Sequence, residues 1–154
     1  MLRSLVGSEM CIRDSSGTLE SMVRRDDLLQ VFKMYSATDQ ELDQEIQSTT
    51  SKEAKKILLS QIDALGAGIS SYVNIFNPEA IILAGFLTSL FNFDPDRLLE
   101  VMKRGTLKAA QERVVIRNGE LGEETLMVGS AELAFRNLLE NPSDAQLTPV
   151  KKSR

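Results

Sequence analysis

The residues best placed to do chemistry in this chain lie around a glycine elbow. Ala80-Ile81-Ile82-Leu83 is a continuous apolar run, as expected of a strand covered on both faces. Ala84-Gly85-Phe86 follows at once, and a glycine there lets the backbone turn sharply and approach a ligand closely. In open α/β sheets, ligands bind beyond the carboxyl ends of such strands. Ala84, Gly85 and Phe86 are therefore the first candidate site. Two acid pairs, Asp26-Asp27 and Glu123-Glu124, also set carboxylates side by side, but they read as solvated faces rather than a catalytic dyad.

What the chain lacks removes several chemistries. It has no histidine, which excludes a Ser-His-Asp triad, a histidine general base and a histidine metal ligand within the chain. Its one cysteine, Cys11, can form neither an intramolecular disulfide nor a thiolate zinc site. No metal, cofactor or catalytic residue is expected. The length of 154 residues suits one domain, and 42% hydrophobic with 26% charged residues is ordinary for a globular protein. A net charge of −4 gives no electrostatic reason for this chain to bind nucleic acid. No apolar run reaches the ~20 residues a membrane-spanning helix needs, so no membrane partner is expected.

Elements that could hold the elbow in place are legible on both sides. Gly17 to Phe32 carries Leu19, Met22, Val23, Leu28, Leu29 and Phe32 and predicts one or two short helices. Asp39 to Ile46 predicts a short exposed helix. Thr50 and Glu53 have capping-box spacing and predict the start of the main helix. Its apolar positions are Leu58, Ile62, Leu65, Ile69, Tyr72 or Val73, and Phe76, at steps of three and four. Gly66 and Gly68 sit inside it; close packing is favoured there over backbone approach to a ligand. Asn77-Pro78 ends the helix, because a residue before proline is pushed out of the helical region.

Beyond the elbow, Asp94-Pro95 predicts another helix, with aspartate as cap and proline at the first position. Arg113 to Arg117 reads as a strand and Asn118-Gly119 as a turn. Thr125 to Val128 reads as a further short strand closed by Gly129, and Ser130 to Glu140 as a last helix ended by Asn141-Pro142. Helix, strand, helix, strand, strand, helix is an α/β order. About three strands are few against the five or six usual in a sheet, which suggests part of a larger one.

The two ends read differently from the middle. Residues 1–16 look like a translated sequencing adapter, or else a disordered N-terminus, and are set aside from fold reasoning. Residues 142–154 are polar and predict a disordered tail. The region 17–141 remains as the domain.

Three blocks in that region resemble the C-terminal portion of the ROK family (repressors, open reading frames and kinases). Gly17-Thr18-Leu19-Glu20-Ser21 with Val23-Arg24-Arg25-Asp26 resembles the family's Gly-Cys-aromatic/Leu-Glu segment. Leu65-Gly66, Val73-Asn74-Ile75-Phe76-Asn77-Pro78-Glu79 and Ile81-Ile82-Leu83-Ala84-Gly85 resemble its long helix, Asn/Asp-Pro-Glu turn and strand to glycine elbow. Leu121-Gly122 and Gly129-Ser130-Ala131-Glu132-Leu133-Ala134 resemble its closing pattern. Each block alone is weak, but they stand in family order.

The resemblance implies part of an actin-like ATPase or sugar-kinase (ribonuclease H-like) fold, here a C-terminal lobe with the long helix packed on a short sheet. It implies a cytoplasmic protein, a homo-oligomeric parent, and a sugar or sugar phosphate as the parent's ligand. Glu20 matches the glutamate that hydrogen-bonds sugar hydroxyls; a carboxylate can accept from two vicinal hydroxyls. The structural alternative for Glu20 is a helix-start acid favoured by the macrodipole. Thr18 stands where the family has a zinc-binding cysteine, and threonine is not a usual zinc ligand. The family's phosphate loop, catalytic aspartate and, in repressors, helix-turn-helix lie upstream of the residues present.

Two readings of the parent follow. A sugar-sensing transcriptional regulator, reaching DNA through an upstream module, is favoured by the single glycine of Ala84-Gly85-Phe86, where a phenylalanine is expected to crowd a nucleotide. An ATP-dependent, glucokinase-like sugar kinase is the alternative. An unrelated α/β interaction module is a third reading.

Overall fold

A computed structural model of the protein describes residues 17–119 and 125–140. Residues 17–119 fall in one unit, and the helix after them falls in a second. The proposed adapter segment, the C-terminal tail, Cys11, Leu121-Gly122 and Glu123-Glu124 lie outside the described residues.

In the first unit, helices α1 (Leu19–Met22), α2 (Arg25–Phe32) and α3 (Asp39–Ser48) precede the long helix α4 (Lys52–Phe76). Strand β1 (Ala80–Leu83), helices α5 (Phe86–Phe93), α6 (Pro95–Gly105) and α7 (Lys108–Gln111), and strand β2 (Val115–Asn118) follow. The described architecture is mixed α/β and mostly helical, with one parallel two-stranded sheet. Ala80 pairs with Val115 and Leu83 with Asn118, so α5, α6 and α7 form the crossover a parallel pair requires.

Helix α4 is long because its sequence keeps one face apolar through most of its turns. Leu58, Ile62, Leu65, Ile69 and Val73 are all buried on it, and Ala54 opens the same side. They meet Leu28 and Leu29 from α2, Leu90 from α5, and Leu98 and Met102 from α6 in one core. The predicted face overran at its end. Tyr72 and Phe76 point away from the core, 55% and 68% exposed, and stack on each other with ring centroids 6.0 Å apart. Val73 is the buried member of that turn.

The start of α4 also differs from expectation. Ser51, not Thr50, is the N-cap, and its hydroxyl accepts from the Ala54 amide at 3.3 Å. The helix begins one residue late for Glu53 to close a box with Thr50. A true capping box forms instead on α3. Thr38 accepts from the Glu41 amide at 3.2 Å, and Glu41 accepts from the Thr38 amide at 2.8 Å. That helix is amphipathic rather than exposed throughout, with Leu42 and Ile46 fully buried.

Both α4 glycines are packing positions. A β-carbon on Gly66 would come within 3.0 Å of the Val101 β-carbon and 3.1 Å of the Leu98 carbonyl oxygen. One on Gly68 would meet the Leu19 side chain. The glycines therefore let α6 and α1 lie close against α4.

Polar clamps hold α6 to α4. Asn74 donates to the Gly105 carbonyl at 2.7 Å and accepts from the Leu107 amide at 3.0 Å, which ties the end of α6 to the last turns of α4. Arg97 forms a fork on Asp63, with both bonds at 2.7 Å. Those bonds hold the Asp63 carboxyl below its ordinary pKa, against an opposing push from burial. Because the folded value is depressed, the pair's stabilisation is present above the unfolded carboxylate value of about 3.9 and is lost as pH falls through the folded value. Asp63→Asn is therefore expected to destabilise at neutral pH, with the gap to wild type closing in acid. Urea unfolding at a series of pH values measures it, and a gap that persists unchanged in acid would refute the ion-pair account. The effect is small, since the Asp63 and Arg97 side chains are 42% and 40% exposed.

The sheet is thinner than the sequence suggested. Only two strands are present among the described residues, and β1 is not covered on both faces. Leu83 is buried, but Ile82 is 68% exposed and Ala80 is also open. Val115, the register partner of Ala80, is exposed beside them. The apolar run satisfied a two-sided reading because Ile81 and Ile82 have the same side-chain chemistry, while the pleat sends them to opposite faces.

The second unit contributes α8 (Thr125–Glu140). Thr125 to Val128 is the first turn of this helix, not a strand. A four-residue apolar run cannot be assigned by periodicity alone, and Gly129 continues the helix rather than ending an element. Ala131, Ala134 and Phe135 are exposed on α8.

Candidate functional site

The elbow forms at the carboxyl end of β1, as its sequence implied. Gly85 has φ 60° and ψ −146°, a combination essentially closed to residues with a β-carbon. It is the N-cap of α5 and brings no side chain to the helix start. The turn is fixed from behind by Thr88, whose amide donates to the Gly85 carbonyl at 3.0 Å and whose hydroxyl donates to the Leu83 carbonyl at 3.0 Å. Gly119, just past β2, donates its amide to the same Leu83 carbonyl at 2.7 Å.

A bare helix start at a strand end is a ready place for an anion. Here a carboxylate of the chain itself stands beside it. The Asp39 Oδ2 atom lies 3.1 Å from where a β-carbon on Gly85 would be. Asp39 is anchored in turn by Arg25, whose Nε donates to Oδ1 at 2.8 Å while a second guanidinium nitrogen donates to the Ala37 carbonyl. A polyphosphate approaching Gly85 would therefore meet the Asp39–Arg25 ion pair from its carboxylate side.

Phe86 is half-buried and packs on the core. Ala84 is exposed at the strand end. Neither Asp39 nor Arg25 was singled out from the sequence as part of the elbow. They stand 46 and 60 positions before Gly85 in the chain. The one local signal was the Thr38-x-x-Glu41 spacing that places Asp39 at the start of α3.

Glu20 lies in the first turn of α1 and is exposed. Thr18 caps that turn, accepting from the Ser21 amide at 3.3 Å. Both roles considered for Glu20 are compatible with this position: an acid at a helix start, and a carboxylate open to solvent. Leu19 seats the same turn over Gly68 of α4. The elbow has other neighbours, with Asp39 beside it and the β2 end bonded to Leu83. Asp26 and Asp27 lie in the first turn of α2, where Asp27 faces Arg24 at 3.8 Å.

Among the described residues, no cluster of histidine, cysteine or acidic side chains could hold a metal ion. No helix among them is long and apolar enough to cross a membrane. No family model matches the chain, and no curated protein matches it.

Proposed function

We propose that the chain is the C-terminal, sugar-sensing part of a ROK-family transcriptional regulator, a cytoplasmic protein whose DNA-binding module lies upstream of these residues. Its fold in this reading is part of an actin-like sugar-kinase lobe, and its ligand a sugar or sugar phosphate. The ordered sequence blocks motivate the family. The observation that carries the regulator branch is the Asp39 carboxylate beside the Gly85 elbow. An acid there favours a neutral sugar as the protein's ligand over a nucleotide polyphosphate at the elbow. Glu20, exposed in the first turn of α1, supplies the acceptor for sugar hydroxyls.

The kinase reading rests on one observation as well, the positive-φ glycine that opens α5 at a strand end. Recovery of the intact parent gene separates the two. A basic helix-turn-helix upstream supports the regulator, and a chain starting at a phosphate loop supports the kinase. In the intact parent, Glu20→Gln is expected to weaken sugar binding about 10- to 100-fold by calorimetry, the loss of one charge-assisted hydrogen bond. ATP-dependent phosphorylation of the sugar above background would overturn the regulator reading. Unchanged affinity in the variant would remove Glu20 from the site.

A further inference from the structure

The end of β2 holds the one Asn-Gly pair in the chain, Asn118-Gly119; the other asparagines precede isoleucine, proline, phenylalanine or leucine. An asparagine side chain can be attacked by the amide nitrogen of the next residue, and glycine, having no β-carbon, leaves that approach open. Asn118 is exposed, so water and base reach it. In the folded chain both reacting groups are engaged. The Gly119 amide donates to the Leu83 carbonyl at 2.7 Å. The Asn118 Nδ2 atom donates to Asn92 Oδ1, near the end of α5, at 2.8 Å. Ring closure also requires rotation about the Asn118 Cα–C bond. The sheet resists that rotation, because Asn118 is in register with Leu83 and β2 is bonded to β1 at both ends, through the Val115 and Gly119 amides.

We infer that Asn118-Gly119 is a deamidation site that the folded sheet keeps closed and that opens when the end of β2 leaves β1. In the step, the Gly119 nitrogen loses its proton to solvent base and bonds to Asn118 Cγ. The Cγ–Nδ2 bond breaks, and the side-chain nitrogen leaves as ammonia. Water then adds across one carbonyl of the succinimide. One opening gives aspartate; the other gives isoaspartate, in which the main chain runs through Cβ and Cγ. The gate is a small one, four residue pairs with one face open, and local opening of this kind requires less free energy than global unfolding. The product acts on the elbow. The Leu83 carbonyl accepts from the Gly119 amide and also from the Thr88 hydroxyl at 3.0 Å. An isoaspartyl link lengthens the main chain by one atom and shifts Gly119 out of register, which leaves that carbonyl to Thr88. Aspartate keeps the backbone but puts a carboxylate where Asn92 has its donor. The inference holds independently of the sugar-sensing reading.

Peptide mass spectrometry of the full chain, incubated at mildly alkaline pH in buffer or in guanidinium chloride, tests it. Asn118 is expected to convert in denaturant to a mixture of aspartate and isoaspartate. In buffer the conversion should be at least about 10-fold slower, because only the open fraction reacts. Gly119→Ala is expected to slow conversion severalfold in denaturant, where a β-carbon hinders the attack and folding of the variant plays no part. Small additions of guanidinium chloride, below the unfolding transition, should raise conversion in parallel with hydrogen exchange at the Gly119 amide. No conversion in denaturant, conversion as fast in buffer as in denaturant, a rate indifferent to Gly119→Ala, or a rate that does not follow Gly119 exchange would overturn the inference.

Discussion

Ile62→Ala is expected to lower the unfolding free energy by about 2–5 kcal/mol, the range for emptying a fully buried aliphatic site. Ile62 has no exposed surface and stands midway along the α4 face on which α2, α5 and α6 converge. Alanine removes three carbons from that junction. The void would be walled by buried side chains of α2, α5 and α6, which close on that face. Whole domains are stable by only about 5–15 kcal/mol, so the loss is a large fraction of the total. Urea unfolding followed by circular dichroism measures it. A cost below about 1 kcal/mol would mean that the α4 face is not the packed centre of the unit. Tyr72→Ala is the matched control. It lies on the same helix but is 55% exposed, and its loss should be a small fraction of that at Ile62.

The second large effect is at the elbow. Gly85→Val is expected to cost about 1–3 kcal/mol from backbone strain alone, with a further steric penalty from the branched side chain. Two causes contribute, and they are separable. The dihedral pair, φ 60° and ψ −146°, belongs to the backbone and penalises any β-carbon. The contact with Asp39 at 3.1 Å belongs to the neighbour and can be relieved. Gly85→Ala measured in wild type and in an Asp39→Ala background divides them. Most of the cost should survive in the second background, because strain at positive φ does not depend on Asp39. If the cost vanished there, Gly85 would be a spacing requirement rather than a conformational one. If Gly85→Val cost less than about 0.5 kcal/mol, the elbow would be able to relax to ordinary angles.

Features written into neighbouring residues were the legible ones. The proline caps at Asn77-Pro78 and Asp94-Pro95, the stripe from Leu58 to Ile69, and the turn at Gly85 all came from sequence spacing and recurred in the fold. Failures came where two answers fit the same local letters. Thr50 and Ser51 are both good caps, and the start of the helix chose between them. Tyr72 and Val73 are both apolar, and a drift of 100° per residue separates buried from exposed. Thr125 to Val128 is too short to carry a period, and its chain context made it helix. The elbow's neighbour Asp39 was not legible for another reason. It reaches Gly85 only through the packing of α3 on α5, and no spacing within the sequence encodes that approach.

The parallel pairing of β1 with β2 has a consequence for the order of events in time. The strands lie at opposite ends of a crossover that contains three helices. Bringing such distant segments together carries a loop-closure cost of about 3 kcal/mol before any strand bond forms. Four short pairs with one exposed face return little against that cost on their own. Contacts between α4 and the crossover helices shorten the effective loop before the strands meet. The sheet is therefore expected to form late, after helix docking, and the Gly85 elbow to acquire its geometry with it.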